Sequence, residues 1–167
     1  MIYFADLHVH SRHSMATSSD SDLNNLFKWA SLKGIDVVAT GDFTHPAWRE
    51  EIAERLEPDE SGLFSLKKCF TPEDESFPMT FRQKNVRFIL NVEISSIYRT
   101  KGRVRKIHNL VFMPDIDSMN RFCKRLNSVG NLNSDGRPIL GISARNLLEI
   151  ALEASEQSFV VPAHIWT

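Results

Sequence analysis

Two histidines separated by one residue follow the apolar run Ile2-Tyr3-Phe4-Ala5, in the stretch Asp6-Leu7-His8-Val9-His10. On an extended strand, side chains at i and i+2 share a face, so both imidazoles converge on one point. Neutral imidazoles placed that way are ligands for a transition-metal ion. Further ligand-type residues recur downstream. Asp42 follows Thr40-Gly41, with His45 in the same loop; Glu93 follows Val92; His108 lies in Lys106-Ile107-His108-Asn109; His164 follows Pro162-Ala163. Taken singly, each has a plainer role. Asp42 can cap a following helix, Glu93 can serve an ion pair, and His108 can be an ordinary sheet histidine. A mixed imidazole and carboxylate set suits Zn, Mn or Fe better than Mg or Ca.

The elements that must position these residues alternate between strand and helix. Residues 2–9 read as a first strand, and Asp22 as the N-cap of a helix with Leu23, Leu26, Phe27 and Ala30 on one face, closed by Lys33-Gly34. Residues 35–40 form a second strand, and Pro46 opens a charged helix through Leu56. Residues 57–84 lack periodicity and read as a long loop. Residues 86–92 form a third strand, followed by a hairpin of 96–100 and 104–113 turning at Lys101-Gly102. A helix over 116–129 uses Met119, Phe122, Cys123 and Leu126. Residues 131–138 are turn-rich. Ser143 caps a last helix whose apolar face is Leu147, Leu148, Ala151 and Leu152, and Phe159–Pro162 reads as a buried final strand. This alternation predicts a mostly parallel α/β sheet, open or closed into a barrel, with function at the carboxyl ends of its strands. The five strand ends are where the His and carboxylate residues fall.

The chain has 167 residues, 42% hydrophobic and 25% charged, with a net charge of −1. That suits one globular domain over 1–167 and excludes a global basic field as the route to nucleic acid. Cys69 and Cys123 have no CxxC spacing, and no secretory signal precedes them, so a reducing cytoplasm is expected. No apolar run approaches the ~20 residues of a membrane span. The end of the chain, in or just after a strand, reads as that of a fragment.

Asp-Leu-His-Val-His-Ser at 6–11, Thr-Gly-Asp at 40–42, Val-Glu-Ile-Ser at 92–95, His108 and Pro-Ala-His at 162–164 resemble the successive motifs of the PHP (polymerase and histidinol phosphatase) domain family. The resemblance implies a metal-dependent phosphoesterase on a distorted (β/α)7 barrel with two or three divalent ions (Zn, Mn or Fe). It implies that His8 and His10 hold one ion, and that Glu93 bridges it to a second held by His108 and His164. Two departures stand out. Met15 occupies the region where the family commonly carries an acidic residue or His, and Asp42 replaces the His of a Thr-Asp-His motif. A third site would have to be rebuilt, with Asp42 and with His13 or His45 as ligands. The family's last motif, Asp-x-His, has no counterpart, which implies a partial barrel, inactive or weakly active alone, because (β/α) barrels run to about 250 residues.

Longer matches at 6–12, 40–48 and Asn133-Ser134-Asp135-Gly136-Arg137-Pro138 resemble the endonuclease Q subfamily, DNA repair enzymes that nick 5′ of deaminated bases and abasic sites. The implied partner is DNA, with no membrane. Glu93 and Asp42 are then the candidate catalytic carboxylates, Asp42 orienting a water or holding a further metal. Two bridged metals can bind a phosphate oxygen and activate a water for in-line attack. Arg99, Lys101, Arg103, Arg105 and Lys106 crowd the hairpin beside His108, either to grip flanking phosphates or as a solvated surface. Tyr98, Trp48 and Trp166 are candidates for base stacking or for packing. A small-molecule phosphomonoesterase and a non-catalytic PHP binding module are the competing expectations.

Overall fold

The structure is a computed structural model that describes residues 2–15, 17–71 and 85–166. Its organising element is β5 (Arg87–Thr100), a 14-residue strand that pairs with four others. Its first residues lie between β2 (Val37–Ala39), parallel, and β4 (Phe64–Leu66), antiparallel. Its remainder runs antiparallel to β6 (Arg103–Met113), and at Ser95 and Ser96 parallel to β7 (Ile139–Leu140). The sheet is completed by β1 (Ala5–Asp6) beside β2, β3 (Leu56–Pro58) beside β4, and β8 (Phe159–Ala163) beside β6. These eight strands form one curled, half-barrel sheet of mixed direction. The predicted parallel bias fails because β4, β6 and β8 all enter antiparallel.

Alternation along β5 decides what lies on each face. Phe88, Leu90, Val92 and Ile94 point to the helices and share the core with Leu23, Ile52, Phe122 and Leu147. Asn91, Glu93 and Ser95 point to the concave face, where they are buried. The helical layer consists of α1 (Leu23–Lys33), α2 (Pro46–Arg55), α3 (Ile116–Leu126) and α4 (Ala144–Ala154). Asp22 caps α1 by accepting from the Asn25 amide, and Gly34 closes it in the left-handed conformation. Asp115 and Ser118 form a reciprocal capping box on α3, and Ser143 caps α4.

Several expectations are corrected. The third strand and the hairpin's first arm are one strand; polar Glu93 and Ser95 interrupt the apolar pattern because they face the concave side. The expected loop over 57–84 holds β3 and β4, whose three residues each are too short to display a period; its residues 72–84 lie outside the described residues. The first strand pairs only over Ala5–Asp6, and Ile2, Tyr3 and Phe4 before it are exposed. The last strand is not buried: Phe159 and Val161 are exposed on the concave side of an edge strand. The face of α4 is rotated, burying Leu147, Ile150, Ala151 and Ala154 and exposing Leu148 and Leu152. Chemical denaturation of two variants checks that rotation. Leu147→Ala is expected to lose about 2–5 kcal/mol, whereas Leu148→Ala loses less than about 1 kcal/mol.

Candidate metal centre

Glu93 stands mid-way along β5 with its side chain 1% exposed, and four imidazoles surround its carboxylate. Oε1 accepts from His108 Nδ1 at 2.7 Å and faces His164 Nε2 at 3.1 Å. Oε2 faces His8 Nε2 at 3.3 Å and His10 Nε2 at 3.1 Å. One carboxylate thus divides four histidines into two pairs, one for each oxygen. His8, His10 and Glu93 form one group of ligand-type atoms, and Glu93, His108 and His164 another, each within 4.8 Å.

The fold delivers each residue for a local reason. The Asn91 side chain donates to Leu7 O at 2.9 Å and accepts from Gly41 N at 2.7 Å, tying the segment after β1 to the end of β2. Gly41 has φ +64, and a Cβ there would lie 2.5 Å from Val9 O, so only glycine allows this approach beside His8 and His10. His108 is paired with Ser95, which puts it on the same face as Glu93. His164 follows the last pair of β8 with a left-handed backbone, φ 49.

Asp42, expected among the ligands, stands behind them. It is fully buried with φ 50, and both oxygens are engaged. Oδ1 meets His10 Nδ1 at 2.9 Å; Oδ2 accepts from Ser11 N at 2.6 Å, Ser11 Oγ at 2.8 Å and Ser14 Oγ at 2.9 Å. A carboxylate on the far ring nitrogen fixes the tautomer and leaves Nε2 facing Glu93, as in carboxylate–histidine–metal arrangements. Nor does Asp42 cap α2 with its side chain; His45 takes that position. The two other candidates for a rebuilt third site, His13 and His45, stack on one another at 4.3 Å and join neither ligand group among the described residues. Met15 is exposed.

The electrostatics follow from this packing. The carboxylates of Asp42 and then Glu93 raise the His10 pKa to about 9, against the effect of burial. Burial alone pushes Glu93 up, but the imidazoles of His10, His8, His108 and His164 together hold it well below the usual carboxylate range. Burial, with the nearby His45 and Arg12, lowers His13. The donor set fits a divalent transition metal: imidazole nitrogens around a shared carboxylate. Glu93 Oε2 adds a second indication, since it is buried yet receives no aligned hydrogen bond, which is the condition a cation relieves.

Around the centre, the basic hairpin splits by strand register. Arg99 and Lys106 lie on the face of Glu93 and His108, whereas Arg103 and Arg105 lie on the opposite face and Lys101 sits in the turn. Lys106, His108 and His164 line a cleft of about 400 Å³. Trp48 is not a stacking platform; it is fully buried and donates to Gly41 O at 2.8 Å. Trp166 is exposed. Sequence reasoning matches the segment of Arg137 to a subfamily but gives the residue no place in the site; its Nη1 lies 3.6 Å from Glu93 Oε2. A turn-rich loop signals a turn, and nothing in it says that the loop folds onto Glu93.

No protein-family model matches the chain. The chain is 30% identical over 165 residues to the uncharacterized protein MJ0043 of Methanocaldococcus jannaschii, covering 98% of this chain and 16% of that protein. The lesion-specific endonuclease PfuEndoQ from Pyrococcus furiosus is 28% identical with a TM-score of 0.74, over 98% of this chain and 35% of that one. Endonuclease Q bound to a 27-mer duplex with an abasic lesion at the active site is 28% identical with a TM-score of 0.76, over 100% of this chain and 36% of that one. The fold is similar to part of endonuclease Q. A (β/α)7 barrel is not seen among the described residues, in which β1 pairs only with β2 and β8 only with β6. No described helix is long and apolar enough to cross a membrane.

The contact of His10 with Asp42 and Glu93 predicts a pH dependence for the metal-free protein. A histidine with a raised pKa contributes stability that is complete below its ordinary value of 6.5 and is lost as pH rises through about 9. In chelator, the stability advantage of the wild type over Asp42→Asn is expected to shrink between pH 6 and pH 9 in thermal melts. A difference that stays constant or grows with pH contradicts this assignment.

Proposed function

We propose that the chain is the metal-binding catalytic part of a DNA repair endonuclease of the PHP type, a hydrolase that nicks 5′ of deaminated bases or abasic sites. The observation that carries this proposal is the division of four histidines between the two oxygens of Glu93. His8, His10 and Oε2 would hold one divalent ion, and Oε1, His108 and His164 a second, of Zn, Mn or Fe character. Bound there, such ions supply Lewis acidity and lower the pKa of water. The chain's own residues do the rest. Asp42 orients His10, Ser11 and Ser14 hold Asp42, and the burial of Glu93 keeps competing water from its carboxylate. Support for DNA as the substrate comes from the likeness to endonuclease Q, which has been captured with a lesion-bearing duplex. Arg99 and Lys106, on the metal face of the hairpin, add charge where flanking phosphates would pass. The two cysteines are unpaired, in keeping with a reducing, cytoplasmic setting.

The natural full-length protein, loaded with Mn²⁺ or Zn²⁺, is expected to nick duplexes containing uracil, hypoxanthine or an abasic site and to leave undamaged duplex intact. Glu93→Gln is expected to lose metal content and nicking together. Phosphate release from small monoesters without any nick points instead to a phosphomonoesterase. Metal uptake with neither activity points to a binding module. For the hairpin, Arg99→Ala with Lys106→Ala is expected to weaken duplex binding and to flatten the log–log salt dependence by roughly 2, about 0.9 per lost phosphate contact. Replacing Arg103 and Arg105 is expected to change the slope less; the reverse order would assign DNA to the other face.

A further inference from the structure

Arg137 is a charged side chain at the centre that the ligand groups do not use. It is about 40% exposed, and its guanidinium stands 3.6 Å from the buried Oε2 of Glu93. The backbone around it is held at several points. The Arg137 amide donates to Asp135 Oδ1 at 2.9 Å, and Pro138 O accepts from Ser95 N at 3.0 Å. Gly136 N donates to His13 O at 2.9 Å. A Cβ on Gly136 would lie 2.5 Å from Asp42 Cγ and 2.7 Å from Ser14 Oγ, so this loop packs directly on the group that orients His10. Arg137 is therefore delivered to the centre by fixed backbone, on the side of β5 opposite His108.

The charge balance says what such an arginine is for. Histidines bound to metal are neutral, so Glu93 and Arg137 cancel, and two divalent ions would add four positive charges against the one remaining negative charge of the Asp42 carboxylate. A cation kept beside a centre that binds cations opposes metal loading unless an anion completes the set. Guanidinium stays charged at all working pH and offers a planar fork that matches two phosphate oxygens. We infer that Arg137 binds the non-bridging oxygens of the phosphoester and so positions it beside Glu93. This role rests on the phosphoester function proposed above and deepens it by naming the group that recognises the phosphate. Arg137 would then also face the charge that grows on those oxygens during hydrolysis.

The experiment compares wild type, Arg137→Met and Arg137→Lys, each loaded with Mn²⁺. Metal content is measured by mass spectrometry, folding by circular dichroism, and affinity for inorganic phosphate by calorimetry. All three are expected to fold, and Arg137→Met is expected to take up at least as much metal as the wild type. Arg137→Met is expected to bind phosphate at least tenfold more weakly, with Arg137→Lys between the two because it keeps the charge and loses the fork. Wild-type phosphate affinity in Arg137→Met overturns the inference. So does loss of metal in Arg137→Met and Arg137→Lys alike, which would make the residue a structural partner of Glu93. A metal-loaded wild type that binds no phosphate overturns the phosphoester function itself, and is thus told apart from a failure of Arg137 alone.

Discussion

A carboxylate removed from water in the middle of a sheet is costly unless positive or hydrogen-bonding groups replace the lost solvation. Glu93 is in that position, and the surrounding structure supplies the replacement. Its two oxygens are met by His108 and His164 on one side and by His8, His10 and Arg137 on the other. None of these partners is a neighbour in sequence. They arrive from the segments after β1 and β8, from β6, and from the loop before β7. The arrangement holds only if those segments keep their places around β5.

The fold explains how they do. β5 pairs with β2, β4, β6 and β7, so His108 and Arg137 reach Glu93 from strands or loops directly beside it, while His8, His10 and His164 arrive one strand further out, through β2 and β6. The outward residues of β5 share the core with residues of the four described helices, and its inward residues build the centre. Asn91 belongs to both tasks, joining the ends of β1 and β2 by side-chain hydrogen bonds. Left-handed backbones at Asp42 and His164 mark the two places where the chain turns sharply to present a site residue. Lys101, the third such non-glycine residue described, serves the hairpin turn instead.

Much of the centre was legible in the sequence because ligand chemistry is carried by residue type. His8, His10, Glu93, His108 and His164 announce themselves at strand ends, and the structure brings all five together. Asp42 was legible as a site residue but not in its role, because the sequence does not show that Ser11, Ser14 and His10 consume its oxygens. Arg137 was hidden, since its importance comes from a loop folding across the sheet. Helices α1 and α3 were readable from caps and periodicity. Short strands β3, β4 and β7 were not, and the mixed direction of the sheet depends on pairings between segments far apart in the chain. The split of the basic hairpin between two faces needed only the register, which residue types alone do not supply.

On the proposed function, Glu93 organises two metal positions, one at each oxygen. The most direct measurement is anomalous diffraction from crystals of the chain soaked in Mn²⁺. Two peaks are predicted, one at Oε2 between His8 and His10 and one at Oε1 between His108 and His164. A single peak away from Glu93, or one between His13 and His45 with none at the carboxylate, would contradict the account.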